Sequence, residues 1–223
     1  MILEVNDRSY VVFDLDDTLY PEIDFVYSGI HHLSTVLEPI IGQSVADALL
    51  TRHGDKQEMF GWLVEKFHLP LEFGVERLLD EYRHHPPILS LPEGSRRLLD
   101  QLSALGIPMG LLTDGRSVSQ RNKVKALGVA NRLSDILISE EFGSAKPDPR
   151  NYQEFERRHP GRQFAIVADN PLKDFQVPTE LGWLTICLRA SENNIHSQDL
   201  EREPRPLHVV DSLGDIIVRR VTG

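Results

Sequence analysis

Apolar positions along this chain follow two rhythms. Tyr10 to Phe13 form an unbroken apolar run, as a strand buried on both faces requires. From residue 25 to 84 the spacing becomes helical: Phe25, Val26, Ile30, Leu33, Val36 and Leu37, then Met59, Phe60, Leu63, Val64 and Phe67. Val45, Ala48 and Leu49 predict a short helix between these two. Val75, Leu78, Leu79 and Tyr82 predict a fourth after Pro70. Three prolines in HHPPILSLPEG then break the pattern. Beyond them helices over 95–105 and 118–127, stopped by Gly106 and Gly128, alternate with strands IPMGLLT (107–113), DILIS (135–139), FAIVA (164–168) and WLTICL (183–188). A further helix is expected over 152–158. LHVVDSLGDIIVRR is expected to close the chain with a strand and a short helix.

Strands alternating with helices predict an α/β fold, a parallel sheet flanked by helices with right-handed crossovers. The helical block after the first strand reads as an inserted module. Ligands of such sheets bind beyond the carboxyl ends of the strands. Polar residues stand at three of those ends: DLDDT (14–18), TDG (113–115) and ADN (168–170). They should converge on one crevice, which SAKPDPR (144–150) could also reach. The first end is electrostatically costly. Asp14 and Asp16 share a face of an extended backbone, and like charges about 4 Å apart repel by about 4 kcal/mol at an effective dielectric near 20.

Composition narrows the setting. A net charge of -10 opposes binding to nucleic acid or an anionic membrane. Cys187 is the single cysteine, so no internal disulfide forms. The N-terminus has no basic segment followed by an apolar stretch, and no apolar run approaches a membrane span. A cytoplasmic protein, monomer or homodimer, is expected. His31–His32 and His84–His85 are adjacent pairs that do not share a helical face, and no HExxH or CxxC occurs, so the nine histidines suggest no zinc site.

DLDDT, TDG, KP and DNPLKD, in that order, resemble the four motifs of the haloacid dehalogenase-like hydrolase superfamily. The likeness runs from Tyr10 to about Leu188. It implies a discontinuous Rossmann-like core over 1–20 and 88–223 and a helical cap over 21–87. One departure is Ala168, where relatives usually have glycine before the motif-four aspartate.

The resemblance further implies a phosphoric monoester hydrolase acting on a small phosphorylated metabolite: a sugar, sugar-acid or nucleotide phosphate. Asp14 would be the nucleophile, forming an aspartyl-phosphate. Asp16 would be the general acid and base, and Lys146 would balance charge. Thr113 and the amides of Asp114 and Gly115 would cradle the phosphoryl oxygens. Mg²⁺ would be held by Asp14, the Asp16 carbonyl and Asp169, while Asp174 would orient a metal-bound water or hold Lys146. A hard cation with oxygen ligands answers the electrostatic cost of the clustered carboxylates. Asp17 is expected to serve the following turn. Asp169 has a plainer alternative as a helix cap of DNPLKD. Arg116 is the basic candidate for contact with an anionic substrate, with a solvated surface role as its favoured alternative. A phosphomutase and a non-catalytic phosphate-binding regulator are the other readings of this pattern. A dehalogenase fits less well, because such relatives lack the aspartate that Asp16 supplies.

Overall fold

The computed structural model describes residues 1–191, 194, 198–201 and 203–222. Its first strand, β1 (Ile2–Val5), precedes β2 (Ser9–Phe13). Four helices follow: α1 (Glu22–Ile41), α2 (Ala46–Gly54), α3 (Phe60–Phe67) and α4 (Val75–His84). The chain then runs α5 (Glu93–Ala104), β3 (Met109–Thr113), α6 (Ser117–Ala126), β4 (Asp135–Ile138), α7 (Ser139–Phe142), α8 (Pro149–Arg158) and β5 (Gln163–Ala168). It ends with α9 (Gln176–Glu180), β6 (Leu184–Leu188), β7 (His208–Val210) and β8 (Ile217–Arg220).

Six strands form one parallel sheet in the order β4-β3-β2-β5-β6-β7. Its central strands are buried on both faces, and alternation sorts their side chains into two cores. Val11, Phe13, Leu111 and Val167 face one core with Leu98, Leu102 and Val124. Tyr10, Val12, Leu112 and Ile166 face the other with Phe155 and Trp183. The β2–β5 ladder runs one residue past the strand, since the Asp14 amide donates to the Val167 carbonyl at 3.0 Å. That bond sets Asp14 beside the strand that delivers Asp169.

The four helices after β2 have a core of their own, with Ile30, Leu33, Leu37, Leu49, Leu63 and Leu78 in it. Trp62, Phe60 and Phe67 pack against that core, as their helical spacing suggests. Gly42, at φ +79°, ends α1 in the left-handed conformation. Gly29 is needed for close approach: a Cβ there would lie 2.3 Å from the Tyr82 ring. Tyr82 touches both this core and the sheet core, where it meets Phe25 edge-on at 5.6 Å.

One expectation is corrected at the C-terminus. Residues 217–220 form a strand, not the tail of a short helix, and pair in parallel with β1 through Ile2↔Ile217 and Val5↔Arg220. Only Leu213–Asp215 turns helically, as one 3₁₀ turn capped by Ser212. The partner strand β1 carried no expectation, although Leu3 and Val5 alternate buried with exposed neighbours. The helix α7 is also unforeseen, because DILIS reads as strand to its end.

Candidate active site

The three strand ends open on one cavity of about 100 Å³ beyond the carboxyl edge of the sheet. Seven carboxyl groups line it (Asp14, Asp16, Asp17, Glu22, Asp114, Asp169 and Asp174) against the ammoniums of Lys146 and Lys173. Such an excess of acid in a confined space calls for a cation or for protons.

Asp14 is 6% exposed, and Lys146 reaches it from the loop after α7. Lys146 Nζ lies 2.6 Å from Asp14 Oδ1 and 2.7 Å from Asp174 Oδ1. Of the two expected roles for Asp174, holding Lys146 is visible in this geometry. The loop is anchored from the second strand end, where Asp114 Oδ1 accepts from the Lys146 amide at 3.0 Å. Asp174 is fully buried and braces its own turn by accepting from the Asn170 amide at 3.2 Å. No helix begins at residue 170, so the cap alternative for Asp169 lapses; α9 starts only at Gln176. The Asp169 carboxylate has long contacts, 3.4 Å each from Thr18 Oγ1 and Asn194 Nδ2.

Asp14, Asp169 and Asp174 each offer an oxygen, and those oxygens lie within 4.8 Å of one another. Among the described residues this is the one cluster that could hold a metal. Three buried oxygen donors, with one ammonium between two of them, suit a hard divalent cation such as Mg²⁺.

The electrostatics agree. Burial pushes the Asp14 carboxyl up to about 7 against the pull of Lys146. Burial, then repulsion from Asp14 and Asp174, pushes Asp169 up to about 8. Burial and Asp16 push Glu22 up to about 7. Lys146 is held charged well above its ordinary range; burial opposes this, but Asp14 and Asp174 prevail. A carboxyl raised in the fold from an ordinary value near 4 contributes stability below about pH 4 that is lost as pH rises through its folded value. The metal-free protein therefore loses stability from this cluster up to about pH 8. A bound cation reverses that loss. The Tm difference between Mg²⁺ and EDTA should grow steadily from pH 5.5 to 8.5 in thermal scans. Taking the difference cancels buried His85, whose lowered pKa acts in the opposite sense. A difference independent of pH would mean that the ion binds elsewhere.

Asp16 faces the same cavity with both oxygens engaged. Tyr20 Oη donates to Oδ1 at 2.6 Å, Lys123 Nζ lies 2.8 Å from Oδ1, and Gln120 Nε2 donates to Oδ2 at 2.9 Å. Gln120 also donates to Thr113 Oγ1 at 2.5 Å. Asp17 takes up the turn, with φ +55° and an oxygen accepting from the Glu22 amide at 2.8 Å. It also borders the cavity.

Two expected residues stand apart. The Gly115 amide donates to Ser139 Oγ at 2.9 Å, and Gly115 lines a separate shallow hollow. Arg116 lines that hollow too, 61% exposed and paired with Glu140 at 2.6 Å. Arg116 is thus a solvated ion pair outside the cavity. Conversely, Gln120, Lys123, Tyr20, Glu22 and Lys173 carried no expectation. Gln120 had one signal, its i,i+4 alignment with Val124 on the apolar side of the helix, and Lys123 lies one turn after Gln120 at i,i+3.

A family model described as haloacid dehalogenase-like hydrolase matches residues 11–184. A glyceraldehyde 3-phosphate phosphatase of Methanocaldococcus jannaschii is 27% identical over 227 residues, covering 93% of this chain and 94% of that protein. An (S)-2-haloacid dehalogenase of Pseudomonas putida is 26% identical over 231 residues, covering 92% of this chain and 93% of that one. The crystal structure of a HAD phosphatase from Thermococcus onnurineus is similar with a TM-score of 0.56 at 18% identity, over 92% of this chain and 94% of that one. At such identity the likeness concerns the fold. Among the described residues, no helix is long and apolar enough to cross a membrane.

Proposed function

The chain belongs to the haloacid dehalogenase-like hydrolase family, and within it we propose a Mg²⁺-dependent phosphatase of a small phosphomonoester, working through Asp14. The observation that carries this reading is Asp14 paired with Lys146 at 2.6 Å while Asp16 opens on the same cavity. A nucleophilic carboxylate and a second carboxyl for proton transfer are what a phosphomonoester needs. A dehalogenase expels halide in its first step, and that leaving group needs no proton from Asp16.

In this scheme an Asp14 oxygen attacks phosphorus, and the bond from phosphorus to the ester oxygen breaks. Asp16 gives its proton to the departing alkoxide. It then takes one from the water that attacks the aspartyl-phosphate, releasing phosphate and restoring Asp14. Lys146 holds the attacking carboxylate in place and offsets charge on the phosphoryl group. Thr113 and the Asp114 segment border the phosphoryl position. Mg²⁺, held by Asp14, the Asp16 carbonyl, Asp169 and Asp174, would supply neutralisation of the phosphoryl charge. Residues 21–87 act as a cap over a core of 1–20 and 88–223. A cavity of about 100 Å³ favours a small ester. The relative named as a glyceraldehyde 3-phosphate phosphatase, aligned over nine-tenths of both chains, supports a triose-sized substrate.

The test is turnover of p-nitrophenyl phosphate and a panel of phosphorylated metabolites. EDTA should silence it and Mg²⁺ restore it, with Ca²⁺ a poor substitute because it prefers a larger, looser shell. Asp169→Ala should raise the Mg²⁺ concentration for half-activity about tenfold or more. An unchanged Mg²⁺ response in that variant would remove Asp169 from the metal site.

A further inference from the structure

Helix α6 turns a polar face inward. Ser119, Gln120 and Lys123 are all buried, and the Lys123 side chain is 5% exposed. A buried ammonium is costly unless paired, and Lys123 is paired with Asp16. The Phe25 ring also lies against it, with its centroid 4.4 Å from Nζ, and Glu22 and His85 are near enough to feel its charge. One turn earlier on the same face, Gln120 binds the other Asp16 oxygen and joins it to Thr113. Each oxygen of Asp16 is thus held by a residue of α6. A carboxylate turns readily about its last torsion when free, and these two contacts, together with Tyr20 Oη at 2.6 Å on the Oδ1 that Lys123 also holds, remove that freedom. A purely structural role on this face would be served by an apolar residue such as Val124.

We propose that Lys123 and Gln120 are positioning residues for Asp16, fixing its carboxylate so that an oxygen is presented to the ester oxygen of the leaving group. The inference rests on the phosphatase reading, in which Asp16 is the general acid and base. Lys123 and Gln120 act through Asp16 and need not touch the substrate.

The test is a double-mutant cycle on the Mg²⁺-saturated full chain. The variants are Lys123→Met, Asp16→Asn and the pair together, with kcat/KM measured on glyceraldehyde 3-phosphate and on p-nitrophenyl phosphate. Methionine keeps the length and the packing under Phe25 but carries no charge. This parameter runs from free substrate to departure of the leaving group, so it leaves out the later step in which Asp16 acts as base, and the comparison of the two esters singles out proton donation. Lys123→Met should lower kcat/KM for the alkyl ester about 30-fold, part of the hundredfold or more that general acid catalysis supplies. The aryl ester, whose leaving group needs no proton, should lose less than about threefold. In the Asp16→Asn background Lys123→Met should cost nothing further on either ester. Losses that multiply in the double variant, or that are equal on the two esters, overturn the proposal and leave the phosphatase reading standing. A wild-type protein that turns over neither ester overturns both. If Lys123→Met fails to fold, the same cycle with Gln120→Leu decides, because Gln120 is half of the proposed pair.

Discussion

Asp14→Asn is expected to abolish turnover, lowering kcat by about four decades or more, equivalent to about 5 kcal/mol of barrier. The amide is nearly the size of the carboxylate, but it is a far poorer nucleophile toward phosphorus. The fold should not suffer. Asp14 is buried among Asp169 and Asp174, and burial has already pushed its carboxyl up to about 7, so its charge is a burden to the folded state. Lys146 keeps Asp174 as a partner at 2.7 Å. The variant should therefore melt no lower than wild type in EDTA, while Mg²⁺ raises its Tm less. Sites that do chemistry often trade stability in this way. Retention of a tenth of wild-type turnover, with deamidation of the introduced amide excluded by mass, would defeat the covalent mechanism.

Much of this arrangement was legible in the chain because its physics is local. The central strands read as unbroken apolar runs since both their faces are covered, as the two separate cores show. Helices α1 to α4 read from their spacing since each lays one face on a common core. The cavity-lining acids were legible for a related reason. Carboxylates directly after a buried strand cannot be core, so Asp14, Asp16 and Asp169 announce an edge where something else neutralises them.

What escaped depends on partners far away in sequence. Strand β1 has four residues, and its pairing to β8 joins Ile2 to Ile217, a contact no window of sequence contains. Ile217 is 61% exposed, so even its burial gives little pattern. Arg116 shows that closeness along the chain to Asp114 does not place a side chain in the cavity; its solvated alternative is the one that holds. Glu140 captures it on the outer side, where Glu140 also accepts from the Ser117 amide at 2.7 Å. Lys123 lies further along the chain than Arg116, which precedes α6, yet Lys123 reaches Asp16 and Arg116 does not. The inward face of the helix decides this, not the distance from the motif.

Lys146→Met carries the largest expected effect on stability. The ammonium is 4% exposed and lies between Asp14 and Asp174, with Asp169 in the same cluster. Methionine fills much of the same space but leaves the carboxylates with no cation. Removing one partner of a buried ion pair costs about 3–5 kcal/mol, because the remaining charge is buried without compensation. The acids can escape part of that cost by taking up protons. The folded pKa values of Asp14 and Asp169, already raised, should rise further without the lysine, so stability present below about pH 4 is lost as pH climbs through a higher and wider range. The loss should thus be largest near pH 8 and clearly smaller near pH 5.5, measured by urea unfolding in EDTA. Mg²⁺ at pH 8 should recover part of it, since a divalent cation takes over the neutralisation. Turnover should still fall about a hundredfold or more, because Lys146 no longer holds Asp14 or offsets the phosphoryl charge. An equal loss of stability at both pH values would mean that Lys146 contributes through packing alone. The charge balance that opposes the crowding of Asp14, Asp169 and Asp174 would then have to come from elsewhere in the cavity.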